Sequence, residues 1–166
     1  MRYSLLMVFL ALTVCAIVAG FYGAYLNDPV RRLTEFGAVY RPTDEMEYVE
    51  LGPRFDRSRI DPAVSAIRKL EKPCSISVTC PGLTDVGIEQ LQRLTNVPEI
   101  HFDGLSISND GLFKLAEIEC LKRLTIERCW NLDNDGIVRL DEARPDLTIS
   151  GSWKYSPNGG GVMTGR

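Results

Sequence analysis

The chain has 166 residues, which is enough for one domain of ordinary size together with a short terminal segment. Its formal net charge at pH 7 is −3, whereas nonspecific binding to nucleic acid requires a basic surface. We therefore expect no nucleic-acid partner for this chain.

The first element along the chain is an uncharged hydrophobic segment, residues 5 to 26. A helix of that length rises roughly 33 Å at about 1.5 Å per residue, enough to span the hydrocarbon core of a bilayer. Tyr22 and Tyr25 lie at its end, where aromatic rings favour the membrane interface. The segment predicts an uncleaved single-pass membrane anchor, with the side of the membrane left open. A cleaved signal peptide is the alternative, because Val18-Ala19-Gly20 resembles a cleavage site.

Two segments of the chain lie outside any internal repeat. Residues 27 to 59 are predicted to be a juxtamembrane segment and an N-terminal cap. Within them Tyr48-Val49-Glu50-Leu51 alternates in polarity and predicts a strand, which the exposed apolar end of a repeat array needs as a cover. Residues 152 to 166 include Gly159-Gly160-Gly161 and are predicted to be a disordered tail.

Between these segments, residues 60 to 151 repeat with a period close to 24. Similar heptads place glycine at Gly87, Gly111 and Gly136, which are 24 and 25 residues apart. Before each strand, apolar residues spaced three apart indicate a short helix. Four strands are predicted from apolar–polar–apolar triplets in step with the glycines. These are Ile76-Ser77-Val78, Ile100-His101-Phe102, Leu124-Thr125-Ile126 and Leu147-Thr148-Ile149. The predicted helix caps are Asp61, Asp85, Asn109 and Asn134.

The repeat resembles the leucine-rich repeat of the cysteine-containing type, found in ligase substrate-recognition subunits and in many bacterial proteins. Leu121-x-x-Leu124-x-Ile126-x-x-Cys129-x-x-Leu132 fits its consensus, and Leu83-Thr84-Asp85-Val86-Gly87-Ile88 resembles its start. The resemblance implies an α/β fold, a short solenoid of about four strand–helix copies with a parallel sheet on the concave face. Together with residues 5 to 26 it predicts a solenoid that follows an N-terminal transmembrane helix.

In such a fold the polar strand residues form rows on the concave face, with neighbouring strands about 4.8 Å apart. The predicted rows are Ser75, Glu99, Arg123 and Asp146; Ser77, His101, Thr125 and Thr148; and Thr79, Asp103, Glu127 and Ser150. The resemblance implies that this mildly acidic face binds a protein partner with a basic or hydroxyl-bearing surface. The predicted contact residues are Glu99, His101, Asp103, Arg123, Thr125 and Glu127. The alternatives are a solvated sheet face, and a structural subunit of a larger membrane assembly.

The remaining chemistry is sparse, and the sequence predicts no enzyme, no cofactor and no metal. His101 is the chain's single histidine; beside Asp103 and Glu127 it could act as a base or a metal ligand, but no supporting motif accompanies it. Cys74 and Cys80 flank one strand, about 20 Å of extended chain apart, too far for a disulfide. We expect no disulfide and a buried thiol at Cys129.

Overall fold

The computed structural model describes residues 5–153 and 161–163, with side chains described for residues 12–152. The protein is an α/β protein built on one seven-stranded sheet whose strands follow one another in chain order. The strands are β1 (Val39–Pro42), β2 (Glu47–Leu51), β3 (Cys74–Val78), β4 (Glu99–Asp103), β5 (Arg123–Cys129), β6 (Thr148–Trp153) and β7 (Gly161–Met163). Strands β2 to β6 are parallel, while β1 and β7 pair antiparallel with their neighbours.

Short helices connect the parallel strands and cover one side of the sheet. These are α3 (Ile60–Ile67), α4 (Asp85–Leu91), α5 (Asn109–Phe113) and α6 (Asn134–Ala143), numbered after two helices that precede the first strand, α1 (Leu5–Leu26) and α2 (Pro29–Glu35). Two 3-10 helices occupy Arg57–Arg59 and Lys114–Glu117. Such crossovers are what parallel pairing requires, because a tight turn cannot return the chain to the same end of the sheet.

A row of apolar side chains crosses the sheet on its helical side and forms the centre of the core. Val49, Ile76, Ile100, Leu124 and Ile149 are register partners on successive strands. Each is at most 1% exposed. Burying one such side chain contributes about 1.5–3 kcal/mol, so this row accounts for the strand alternation in the sequence and fixes which face is left polar.

The N-caps of α4, α5 and α6 lie one residue before the predicted caps, and that of α3 lies two residues before; side chains at these helix starts link neighbouring repeats. Ser108 is the N-cap of α5, and its Oγ accepts from the Gly111 N–H at 3.2 Å. Asp85, predicted as a cap, is instead the first residue of α4. Its carboxylate reaches the next repeat, accepting from the Ser108 N–H at 2.9 Å and from its Oγ at 2.6 Å. A Cβ at Gly111 would overlap this carboxylate, and a Cβ at Gly136 would overlap the equivalent side chain of Asn109, which explains these two recurring glycines.

A second link between repeats lies before the strands, at positions spaced by 24 residues. Each of these four side chains donates to backbone carbonyls of the preceding segment. Lys72 donates to Thr43 and Asp44; Asn96 to Ile67; Cys120 to Leu94 and Val97; Arg144 to Ala116, Ile118 and Leu121. We call Lys72, Asn96, Cys120 and Arg144 the donor ladder.

The predicted architecture, a leucine-rich-repeat solenoid with a parallel concave sheet and a transmembrane helix, is wrong. The sheet is mixed, because both of its edges are antiparallel pairs. The β1–β2 hairpin closes through a tight connection in which the Thr43 N–H donates to the Met46 carbonyl at 3.0 Å. A connection this short forces antiparallel pairing. Residues 27 to 59 therefore contribute two strands, an α-helix and a 3-10 helix, where the sequence predicted one capping strand.

The predicted membrane anchor over residues 5 to 26, and the single-pass membrane localisation with it, are also corrected. In the part of the chain that the structure describes, no helix is long and apolar enough to cross a membrane.

The predicted tail lies partly outside the described residues, which omit 154–160 and 164–166. The described part of this segment consists of strand residues. Trp153 ends β6, and Gly161–Met163 form the edge strand β7. Local sequence preference does not predict a strand in a Gly-rich segment. The strand β7 forms because its backbone pairs with β6.

Candidate functional site

The side of the sheet opposite the helices carries the outward-facing side chains of β2 to β6, which we call the polar face. Glu99 lies opposite Arg123, His101 opposite Thr125, and Asp103 opposite Glu127. The structure thus brings together all six residues that the sequence proposed for partner contact. Their positions follow from strand alternation, since the residues between them, such as Ile100 and Phe102, are buried in the core.

The predicted rows fail at their fourth members. Arg123 is paired with Thr148 and Thr125 with Ser150, so Asp146 lies before the strand and outside the rows. The Thr125 and Ser150 hydroxyls are 3.4 Å apart. Leu147 and Ile149 are both buried, and they lie two residues apart. Alternation alone does not tell which of the two is the register partner of Leu124. The predicted rows therefore placed β6 two residues away from its actual register with β5.

Cross-strand charges on the polar face are paired with one another. Arg123 forms an ion pair with Glu99, with the Arg123 side chain 60% exposed. At the margin of the face, Arg41 lies 3.6 Å from Glu50. Exposed pairs contribute at most about 1 kcal/mol, so these charges remain available to a molecule that binds the face.

The most buried charge on the face is Asp103, whose side chain is 15% exposed. Arg128 donates from Nε to Asp103 Oδ1 at 2.6 Å and from Nη2 to Oδ2. These hydrogen bonds hold the pKa of the Asp103 carboxyl below its ordinary value, and they raise the pKa of Arg128. The pair therefore stays ionised throughout the physiological pH range.

Sequence reasoning missed Arg128. Strand alternation assigns it to the same side as the buried Leu124 and Ile126, whereas it lies on the polar face. The register of β5 against β6 shifts between Ile126 and Cys129, and Arg128 adopts a φ of 53°. One extra residue in a strand reverses the alternation beyond it. Nothing in the local sequence signals that event, because positive φ is unusual for arginine.

His101, Asp103 and Glu127 form a compact group that we call the three-residue cluster. One nitrogen or carboxylate oxygen from each lies within 4.8 Å of the others. His101 and Asp103 are two residues apart on β4, so they share a face, and Glu127 is the direct cross-strand partner of Asp103. Among the residues that the structure describes, this cluster is the group whose ligand atoms could hold a cation.

No family model matches the chain. The resemblance to leucine-rich-repeat proteins therefore stays a prediction, and the candidate site rests on its geometry.

Proposed function

We propose that the polar face binds a protein partner. The supporting observation is that the outward positions of five adjacent strands are polar almost throughout. They are Tyr48, Glu50, Ser75, Ser77, Thr79, Glu99, His101, Asp103, Arg123, Thr125, Glu127, Thr148 and Ser150. Regular strands fix the backbone that carries them, so little conformational entropy is lost when a partner binds.

The character of the face favours a folded protein surface over a small molecule. Its hydroxyls and paired charges spread over several strands, whereas small ligands are usually enclosed in concave apolar pockets. Tyr48 and Arg41 extend the face at one margin, with the guanidinium 5.7 Å from the ring centroid. Tyrosine and arginine are enriched in protein interfaces.

The partner that suits this face offers basic and hydroxyl groups. Glu127 is exposed, and no ion pair involves it among the residues that the structure describes. Arg123 neutralises Glu99 and Arg128 neutralises Asp103, so the carboxylate of Glu127 is the unpaired negative charge on this part of the face. We propose binding without catalysis, because His101 lies on an open sheet surface and enzymes close water out of their sites.

A photo-crosslinking amino acid at Thr125 tests the proposal in cells that express the chain. We expect an adduct with one protein of defined mass, and we expect Arg123→Glu to reduce its yield at least tenfold. Arg139→Glu is the matched control: Arg139 is a half-exposed arginine of α6, also paired with a carboxylate, on the helical side of the sheet. Its adduct yield should match that of the parent.

If Arg123→Glu and Arg139→Glu reduce the adduct yield equally, binding depends on the helical side or on the overall charge and not on the polar face. Absence of any adduct from Thr125, with a strong adduct from a probe at Ser65 on α3, would assign binding to the helical side instead. Either result contradicts the proposal.

A further inference from the structure

The three-residue cluster combines one imidazole with two carboxylates on a rigid part of the sheet. Asp103 and Glu127 face each other across the β4–β5 pair, and His101 lies two residues before Asp103. The ligand atoms fall within 4.8 Å of one another. Backbone pairing, rather than a flexible loop, fixes the Cα positions that carry the three groups, so binding requires side-chain adjustment but little ordering of the backbone.

The charges around the cluster favour a cation. Arg128 balances Asp103, whereas Glu127 has no ion pair among the described residues. One uncompensated negative charge therefore lies beside an imidazole, whose unprotonated nitrogen has a lone pair that a cation can accept.

Arg128 does not prevent Asp103 from binding an ion. Each carboxylate oxygen has two acceptor positions, and Arg128 uses one on each oxygen. Carboxylates that bind metals are themselves commonly oriented by hydrogen-bond donors. The ion pair thus fixes the Asp103 carboxylate in place while leaving half of its acceptor capacity open.

We propose that His101, Asp103 and Glu127 bind a divalent first-row cation of the Zn²⁺ type. One nitrogen and two oxygens suit such an ion, which takes imidazole and carboxylate ligands at about 2.0–2.2 Å. Ligand atoms around it lie roughly 3–4 Å apart, so the cluster has to close by about 1 Å. Glu127 is exposed and free to change rotamer, and it supplies that movement.

This site goes beyond the proposed protein binding and does not depend on it. Three ligands from the chain leave outward positions of the ion open for water or for a group of a bound molecule. The positive charge of Arg128 weakens the attraction, so we expect a Kd of about 10⁻⁵ M.

Cobalt titration of the purified full chain tests the site, because Co²⁺ reports its ligands by visible absorption. We expect saturation at one equivalent, with bands typical of nitrogen and oxygen ligands and with displacement by Zn²⁺. His101→Ala and Glu127→Gln should each weaken binding at least tenfold. Glu142→Gln, which removes an exposed carboxylate of α6 without touching the cluster, should leave the affinity within twofold.

Three results overturn the proposal. One is a linear, non-saturating response in the parent chain. Another is saturation that His101→Ala and Glu127→Gln leave unchanged, which would place the ion outside the three-residue cluster. A thiolate-to-cobalt charge-transfer band would likewise overturn the proposal, because it would assign the ion to a cysteine. Thermal melting of each variant shows that the sheet is intact, so that a loss of binding is read as a loss of ligands.

Discussion

Among the residues of the donor ladder, Arg144 should contribute most to the free energy of unfolding. Its side chain is 13% exposed and all five of its N–H groups are engaged. Nη1 donates to the carbonyls of Ala116 at 3.1 Å and Ile118 at 2.8 Å. Nη2 donates to the Leu121 carbonyl at 2.9 Å, and the guanidinium also holds both oxygens of Asp146. It thereby ties the segment between α6 and β6 to the preceding repeat.

The cost of Arg144→Ala can be worked from these contacts. Each of the three part-buried carbonyl bonds contributes about 1 kcal/mol net. The Asp146 bonds are discounted, because that carboxylate is 48% exposed and water replaces the guanidinium there. The expected loss is therefore about 3 kcal/mol in the free energy of unfolding, or roughly 10 °C in Tm for a domain of this size. Arg144→Lys should recover about 1 kcal/mol, since one ammonium cannot reach three separate carbonyls.

Urea denaturation followed by circular dichroism measures these losses, provided that the m-value is unchanged between variants. Arg139→Ala is the matched control, because Arg139 is 51% exposed and its partner Asp110 is 84% exposed. It should lose no more than about 1 kcal/mol. If Arg144→Ala costs no more than Arg139→Ala, the reasoning from carbonyl contacts is refuted.

Two further predictions concern the first link between repeats and the polar face. Gly111→Ala should lower the free energy of unfolding by about 2 kcal/mol, because the new Cβ displaces the Asp85 carboxylate. In an Asp85→Ala background the same change should be nearly neutral. If the two effects are additive in a double-mutant cycle, this explanation is contradicted. Asp103→Asn should destabilise the chain through loss of the ionic hydrogen bonds to Arg128. The pKa of Asp103 is lowered in the folded state, so its contribution is complete above the ordinary value of 3.8 and is lost as the pH falls through the lower folded-state value. Urea midpoints of the two chains should therefore differ at about pH 7 and converge as the pH falls below the folded-state pKa of Asp103, and a gap independent of pH would argue against the ion pair.

The polar rows of β3 to β5 could be predicted because two independent periods agree there. A repeat of 24 residues aligned the strands, and alternation of two assigned each residue to a face. Glu99, His101 and Asp103 satisfy both, and each is half-buried on the polar face as expected. Arg128 satisfies neither, because a bulge in β5 reverses the alternation after Ile126. The residue that orients Asp103 therefore had no signal in the sequence.

The edges of the sheet could not be predicted for a different reason. Internal repetition reports only the units that repeat, and β1 and β7 belong to segments that do not. Val39–Pro42 is short and contains a proline, which local preference would not assign to a strand. It becomes one because the hairpin places it beside β2, with Tyr40 donating to Glu47 at 3.0 Å. Pairing with a neighbouring strand, not local sequence, makes β1 and β7 strands. The prediction of a parallel sheet is therefore wrong at these two edges.

The donor ladder shows that structural equivalence can persist where residue identity does not. Lysine, asparagine, cysteine and arginine share one position in successive repeats, and only their capacity to donate to carbonyls is common. A sulfur donor is weak: Cys120 Sγ lies 3.7 Å from the Leu94 carbonyl and 3.4 Å from that of Val97. An arginine donor is strong and forked. The connection between repeats should thus be firmest at Arg144, which positions β6 and the hydroxyls of Thr148 and Ser150 on the polar face. A partner that contacts those hydroxyls would lose affinity in Arg144→Ala even though Arg144 lies outside the face.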